Sequence, residues 1–168
     1  SLVAQPLLFD TFVSVAQDQG FFIKTANAEE IPVTVKTYYD DVENFSFNQS
    51  NNAISFDMPF DWSPEYVELV QVVHEEIRVP KSFQPYNPET SFKGYVDGVE
   101  VDQRVLLIDP YSSETENIVH FLVTGTELQR INEVLGPSHE SSKTMSFDLV
   151  PQRNVEKNSF DVSFDNGY

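Results

Sequence analysis

The chain has no cysteine among its 168 residues. Disulfides and thiolate zinc sites are therefore excluded, and stability has to come from packing or from an ion held by other ligands. Basic residues are also scarce, with 10 Lys and Arg against 27 Asp and Glu, which gives a formal net charge of −17. This charge would repel nucleic acid and anionic membrane surfaces. It suits a soluble domain, a bound cation or a basic partner.

Long apolar runs are absent as well. No stretch reaches the roughly 20 apolar residues that span a bilayer, and Asp10 interrupts the best candidate. The chain opens on Ser1 rather than Met, and removal of a leader just before Ser1 would make this an exported protein. We therefore expect an extracytoplasmic location at the cell surface.

What the chain does have is a regular alternation of apolar and polar residues. Phe45 and Phe47 share one side of a first strand, a turn follows at 49–52, and the apolar face resumes between Ile54 and Met58. A period of two with one apolar side predicts half-buried antiparallel strands. We expect a mainly β fold, an antiparallel Ig-like β-sandwich with about nine strands and two short helices. The predicted strands are 31–38, 42–48, 53–58, 70–79, 92–96, a second arm from 99 to 108, 118–123, 145–149 and 160–164, and the predicted helices are 63–69 and 126–135.

Three regions follow from this pattern. Residues 1–28 form an apolar N-terminal segment, residues 29–151 the β-sandwich, and residues 152–168 a tail with a possible edge strand. Residues 2–16 fit either a helix or an added strand, which would pack on its own core, insert into a neighbouring subunit or lie on a membrane surface. The side chains expected to bind a partner are Leu8, Phe9, Phe12, Val13 and Val15.

Two histidines and a glutamate are the candidate metal ligands. His74 and Glu76 lie two residues apart on one face of a predicted strand, and His120 would add a third ligand if its strand is a neighbour. Imidazole and carboxylate ligands suit copper or zinc. Alternatively, His74, Glu76 and Arg78 form a wet polar face and His120 is a buried, hydrogen-bonded histidine. We expect His139 to lie exposed in a polar loop.

Two acidic loops suggest Ca²⁺ as another possible cofactor, because calcium takes several hard oxygen ligands. The oxygen-bearing residues are Asp97, Glu100 and Asp102 around one turn, and Asp109, Glu114, Glu116 and Asn117 in a second loop. Neither loop has the regular spacing of an EF-hand. A solvated acidic surface is the simpler interpretation.

Two N-glycosylation sequons stand close together, Asn44-Phe45-Ser46 and Asn48-Gln49-Ser50. Alternation places Asn44 and Asn48 on the face opposite the two phenylalanines, and therefore outward. In an exported protein, we expect both to be modified.

Recognisable catalytic motifs are missing. The sequence has no Gly-rich phosphate loop, no nucleophile elbow and no paired histidines in a helical motif. We expect no enzymatic activity.

Four short blocks carry a resemblance to known proteins. They are VENFSF at 42–47, NAISF at 52–56, IRVPKSF at 77–83 and the VDGV hairpin at 96–99. In this order they resemble exported β-sandwich domains of archaeal cell-surface proteins, over about residues 31–124. The resemblance implies an extracytoplasmic location and a structural or binding role, and it supplies no catalytic residues.

Taken together, the sequence favours a non-enzymatic structural or interaction subunit of a cell-surface assembly. Such a subunit would belong to a filament, a surface layer or a membrane complex, with protein partners or self-assembly, and with membrane proximity through the N-terminal segment. The alternative is a metal-binding accessory module that uses the strand histidines.

Overall fold

The computed structural model describes residues 17–152, which form two antiparallel five-stranded sheets. The predicted mainly β fold is therefore confirmed. In chain order, the strands are β1 (Gln17–Lys24), β2 (Glu30–Thr37), β3 (Glu43–Asn48), β4 (Ala53–Pro59), β5 (Val72–Pro80), β6 (Phe92–Val96), β7 (Val99–Glu100), β8 (Leu106–Asp109), β9 (Glu116–Thr124) and β10 (Thr144–Pro151). The helices are α1 (Pro64–Val67) and α2 (Gly125–Leu135), with 3-10 turns at Gln103–Val105 and Pro137–Ser141.

The two sheets are stacked face to face around one hydrophobic core. Their strand orders are β1-β2-β5-β9-β8 and β3-β4-β10-β6-β7. Phe121 of β9 meets Phe147 of β10 edge to face, with ring centroids 5.2 Å apart. Gly94 on β6 marks a close approach of the sheets, because a Cβ there would lie 2.9 Å from the Phe121 ring and 3.0 Å from Leu106. The apolar residues that alternate along both sheets therefore share one interior.

The predicted hairpins are confirmed. Strands β3 and β4 pair across the turn that follows Asn48, and β6 pairs with β7 across Asp97 and Gly98. These two turn residues have φ values of 48° and 81°. Positive φ at both central positions is the geometry that favours Asp-Gly in two-residue hairpins.

The predicted strand count is wrong, since the described residues contain ten strands rather than about nine. The expected second arm, residues 99–108, is two strands in different sheets. After β7, the Asp102 side chain accepts a hydrogen bond from the Arg104 N–H and begins a 3-10 turn. This turn redirects the chain, and β8 pairs with β9 in the first sheet.

The N-terminal region contributes a strand to the same sheet. β1 lies within the predicted segment 1–28 and pairs with β2 along its whole length. The apolar stretch 2–16 and the possible edge strand at 160–164 lie outside the described residues.

Helix α2 begins two residues earlier than the capping pattern predicts. Its N-cap is Thr124 rather than Thr126, and the Thr124 hydroxyl accepts from the Glu127 N–H at 3.3 Å. Gly125 follows the cap because a Cβ there would lie 2.6 Å from the carbonyl oxygen of Val70. The contact with the preceding loop therefore decides where the helix starts.

Candidate metal centre

Alternation along β5 separates two kinds of side chain. Val73 and Ile77 face the core and are fully buried, whereas His74 and Glu76 face outward. β9 pairs with β5 antiparallel, and His120 lies directly opposite Glu76. Opposed residues project from the same face of a sheet. The strands that carry the three predicted ligands are therefore neighbours, and they bring the side chains together.

The three side chains offer donor atoms at metal-ligand spacing. One donor atom from each lies within 4.8 Å of the others. His74 Nε2 lies 3.1 Å from His120 Nδ1, and that nitrogen lies 3.7 Å from Glu76 Oε1. In a tetrahedral site with bonds of about 2.1 Å, neighbouring ligand atoms are about 3.4 Å apart. Among residues 17–152, no other set of three His, Asp or Glu side chains converges in this way.

Two further residues orient these ligands. Arg78 Nη2 donates to Glu76 Oε2 at 3.0 Å, and the Tyr38 hydroxyl donates to Glu76 Oε1 at 3.1 Å. The Tyr38 ring also stacks on the His74 ring, with centroids 4.3 Å apart and planes 7° apart. The Tyr38 N–H donates to the His74 carbonyl, which continues the β2–β5 pairing by one residue. Such outer contacts hold ligands in position before an ion arrives.

The environment favours the protonation states that bind metal. Burial lowers the pKa of His74, and His120 lowers it further, although Glu76 opposes this shift. Burial by itself would raise the pKa of Glu76, but hydrogen bonds from Arg78 and Tyr38 outweigh it and leave that pKa below its ordinary value. Burial, together with the hydrogen bond to Glu76, raises the pKa of Tyr38. At neutral pH, His74 is therefore a neutral imidazole beside an ionised carboxylate.

The centre opens onto the outer face of the first sheet. The side chain of Glu76 is 8% exposed, whereas that of His120 is 25% exposed. Leu107 on β8 lies opposite His120 and is itself largely exposed. Solvent therefore reaches the histidine side of the site, where an ion would enter.

The acidic loops have other partners. Asp97 binds His139, Glu100 lies 3.6 Å from Lys93, and Asp102 pairs with Arg104. In the second loop, Asp109 accepts hydrogen bonds from the N–H groups of Tyr111 and Ser112, and Asn117 is buried and donates to the Tyr86 carbonyl. These acidic side chains therefore do not form a converging set of ligands among the described residues.

The prediction of an exposed His139 is wrong. Its side chain is only 10% exposed and lies 2.6 Å from Asp97 Oδ2. The other ring nitrogen lies 2.7 Å from Asn132 Oδ1, and the ring packs on Trp62 at 4.3 Å. Because both ring nitrogens lie within hydrogen-bonding distance of a partner, His139 ties the β6–β7 turn to α2.

Of the two remaining predicted sites, the structure describes the glycosylation asparagines but not the partner-binding segment. Asn44 and Asn48 both lie exposed on the edge strand β3, as expected from alternation. Their glycosylation stays a prediction. The expected partner-binding side chains Leu8, Phe9, Phe12, Val13 and Val15 lie outside the described residues.

Sequence reasoning missed Tyr38. The available signal was its spacing of two from Lys36, which places it in the outward register of β2. That register became informative only once β2 was known to pair with β5.

Models of protein families, curated proteins and solved structures all gave no match. In the part of the chain that the structure describes, no helix has the length and apolar character needed to cross a membrane.

Proposed function

We propose that this domain binds a transition-metal ion, copper(II) or zinc, through His74, Glu76 and His120. The observation that carries the proposal is the convergence of three donor atoms within 4.8 Å of one another on the outward face of two paired strands. Hydrogen bonding and stacking hold two of the three ligands in place without an ion.

The donor set indicates the class of ion. Two imidazoles and one carboxylate suit copper or zinc, whereas calcium takes six or more oxygen ligands. Three protein ligands leave at least one coordination position for water or a further group. A role as a metal-binding accessory module follows, in which the ion is held at the surface of a rigid sheet.

The proposal predicts a site-specific loss of binding. Calorimetric titration of the purified protein with copper(II) sulfate or zinc sulfate should give one ion per chain. His120→Ala and Glu76→Gln should each weaken binding by about a hundredfold or more, since removing a ligand exceeds the loss caused by removing an outer contact. Elemental analysis after dialysis checks the stoichiometry.

Glu133→Gln is the matched control, because Glu133 is exposed on α2 and is not one of the three converging side chains. It should bind as the wild type does. Circular dichroism verifies that each variant is folded. Binding that is equally tight in His120→Ala and in the control contradicts the proposal.

Metal affinity should also depend on pH. A proton competes with the metal ion for the His74 imidazole, so affinity should fall as the solution is acidified, by about tenfold per pH unit below the pKa of that imidazole. Because the pKa of His74 is lowered, protonation of His74 should weaken metal binding only at pH values below the usual pKa of histidine. Titrations between about pH 5 and pH 8 test this, and an affinity that is constant across them excludes histidine ligation.

We also propose that the stacked sheets are an Ig-like sandwich in an extracytoplasmic protein, possessing no enzymatic activity. The resemblance of residues 31–124 to archaeal cell-surface domains supports this proposal. The assembly role expected for residues 2–16 stays a prediction, because that segment lies outside the described residues.

A further inference from the structure

We propose that His139 carries a positive charge at neutral pH, and that its second ring proton latches the Pro137–Ser141 turn to the β6–β7 turn until base removes it. This latch shares no residue with the candidate metal centre. The inference therefore stands apart from the proposed function and does not depend on it.

The two partners of the ring indicate its charge. Nδ1 of His139 lies 2.7 Å from Asn132 Oδ1, and Nε2 lies 2.6 Å from Asp97 Oδ2. The Asn132 amide has a fixed orientation, because its nitrogen donates to the Trp62 carbonyl at 3.0 Å and its oxygen is left facing the ring. A neutral imidazole donates from one nitrogen only and would point a lone pair at the other oxygen. Both contacts are hydrogen bonds only if both ring nitrogens carry protons.

The carboxylate side of the contact is equally constrained. Asp97 Oδ1 accepts the Ser146 N–H at 2.7 Å, so both oxygens of Asp97 accept from donors within the protein. The side chains of His139 and Asp97 are 10% and 13% exposed. At such a partly buried position, an imidazolium and a carboxylate attract each other more strongly than they would in water.

The surroundings also favour a positive ring. The centroid of the Trp62 ring lies 4.3 Å from that of His139, which is within the range of a cation–π contact. The other charged side chains of α2, of the loop before α1 and of the turn itself sum to a negative charge. They are Glu133, Glu140 and two pairs of opposite sign, Asp61 with Lys143 and Glu127 with Arg130.

Loss of the proton would release the turn. A neutral ring that keeps its bond to Asn132 turns a lone pair toward the Asp97 carboxylate, and the contact becomes repulsive. The turn and α2 form one side of a cleft of about 490 Å³, with α1 on the other side. A rise in pH should therefore loosen this wall of the cleft.

Tryptophan fluorescence tests the charge of His139. Trp62 is the single tryptophan of the chain, and a protonated imidazole in contact with an indole quenches its emission, whereas a neutral imidazole quenches it much less. The emission of the wild-type protein should rise as the pH is raised from about 6 to about 9. His139→Gln should be brighter than the wild type at the acid end and should show no rise.

Asp97→Asn tests the geometry without removing the histidine. Its amide can donate to Nε2 of His139, so a neutral ring satisfies both partners. At about pH 7, this variant should be brighter than the wild type, and nitrogen NMR of the His139 ring should show one protonated nitrogen instead of two. Asp41→Asn, at an exposed position, is the matched control and should behave as the wild type does.

Hydrogen exchange tests the latch itself. The Ser142 N–H donates to the His139 carbonyl, and it should lose protection over the pH range in which the emission rises. Wild-type emission that does not change with pH, a rise that persists in His139→Gln, or a single protonated ring nitrogen in the wild type overturns the charged His139. Protection that is unchanged while the emission rises overturns the latch.

Discussion

Between about pH 5 and pH 8, the free energy of unfolding should fall in the wild-type protein but stay nearly constant in Glu75→Gln, apart from the contribution of His139 that both proteins share. Glu75 follows His74 on β5 but faces the opposite way, into the core, and is 0% exposed. Burial raises its pKa from 4.5 to about 8, with Asp40 contributing in the same direction and a hydrogen bond from Thr37 opposing. The folded protein therefore holds this side chain as a neutral acid at neutral pH.

Hydrogen-bond geometry independently supports the neutral form. The Thr37 hydroxyl lies 2.8 Å from the Asp40 carbonyl and 3.0 Å from Glu75 Oε1, but it has only one proton to donate. If Glu75 is protonated, it donates to Thr37, and Thr37 donates to Asp40. Glu75 Oε2 has no hydrogen-bond partner among the described residues. A carboxylate would leave that buried oxygen charged and unpaired, which is costly.

The sign of the pH effect follows from the raised pKa. The folded state binds the proton more tightly than the unfolded chain, so the full contribution to stability is present below about pH 4.5. It declines as pH rises, by about 1.4 kcal/mol per unit, and is lost above the folded pKa of about 8. At pH 7 the wild type should have lost about 3 kcal/mol relative to acid conditions.

The glutamine variant does not ionise, and its stability should not show this decline. Its amide group replaces an oxygen that has no hydrogen-bond partner among the described residues, and a buried unpaired N–H costs about 1–3 kcal/mol. The variant should therefore be the less stable protein near pH 4 and the more stable one near pH 8. Urea unfolding at a series of pH values measures the crossing. Glu133→Gln, on an exposed position of α2, should leave the slope unchanged. Parallel profiles for Glu75→Gln and the wild type would refute a neutral Glu75.

Trp62→Ala should cost about 3–5 kcal/mol of unfolding free energy, the usual range for an aromatic residue removed from a core. Trp62 is 0% exposed, and its Nε1–H donates to the Thr144 carbonyl at 2.8 Å. Its ring packs edge to face on Phe60 at 4.9 Å and lies against His139. Alanine would leave a cavity where α1, α2 and the start of β10 meet, and the Thr144 carbonyl would keep only the hydrogen bond from the Ser142 hydroxyl at 3.2 Å.

A two-step series separates packing from hydrogen bonding. Trp62→Phe keeps most of the apolar contact and loses the indole N–H, so it should cost less than alanine does, about 1–3 kcal/mol. Phe22→Ala is the control, because Phe22 is 72% exposed and should change stability by less than about 0.5 kcal/mol. Denaturant midpoints with unchanged slopes give these values. A Trp62→Ala midpoint close to that of the control would mean that the indole does not anchor this corner of the core.

Local patterns in the sequence were sufficient for the parts of the fold that depend on neighbours along the chain. The β3–β4 hairpin follows from alternation, and the β6–β7 turn follows from the tolerance of Asp97 and Gly98 for positive φ. By contrast, β8 was predicted as part of the second hairpin arm but pairs with β9. Pairing between strands that are distant in the sequence is decided by tertiary packing. The start of α2 moved for the same reason, through the contact of Gly125 with Val70.

In the candidate site too, contacts within one strand could be predicted from the sequence, whereas contacts between distant strands could not. The shared face of His74 and Glu76 follows from a spacing of two on one strand, which a sequence displays directly. The nearness of His120 depends on β9 lying beside β5, and no pattern within either strand specifies that order. His139 was predicted to be exposed because it lies in a polar loop. It is buried because it contacts Asp97 and Asn132, which are distant in the sequence or on a neighbouring helix. The sequence did place a glutamate, Glu75, in the apolar register of β5, and that position indicates an acidic side chain in the interior.

The pairing of β5 with β9 makes the candidate metal site sensitive to the register of the two strands. A slip of one residue along β9 would turn His120 inward and expose Phe121, since the side-chain period of a strand is two. In a chain with this shifted register, His120 would no longer lie on the same face of the sheet as His74 and Glu76. If the proposed site binds an ion, an immobilised-metal column should retain correctly paired chains better than misaligned ones. The ion would then cross-link β5 and β9 in a sequence that has no cysteine.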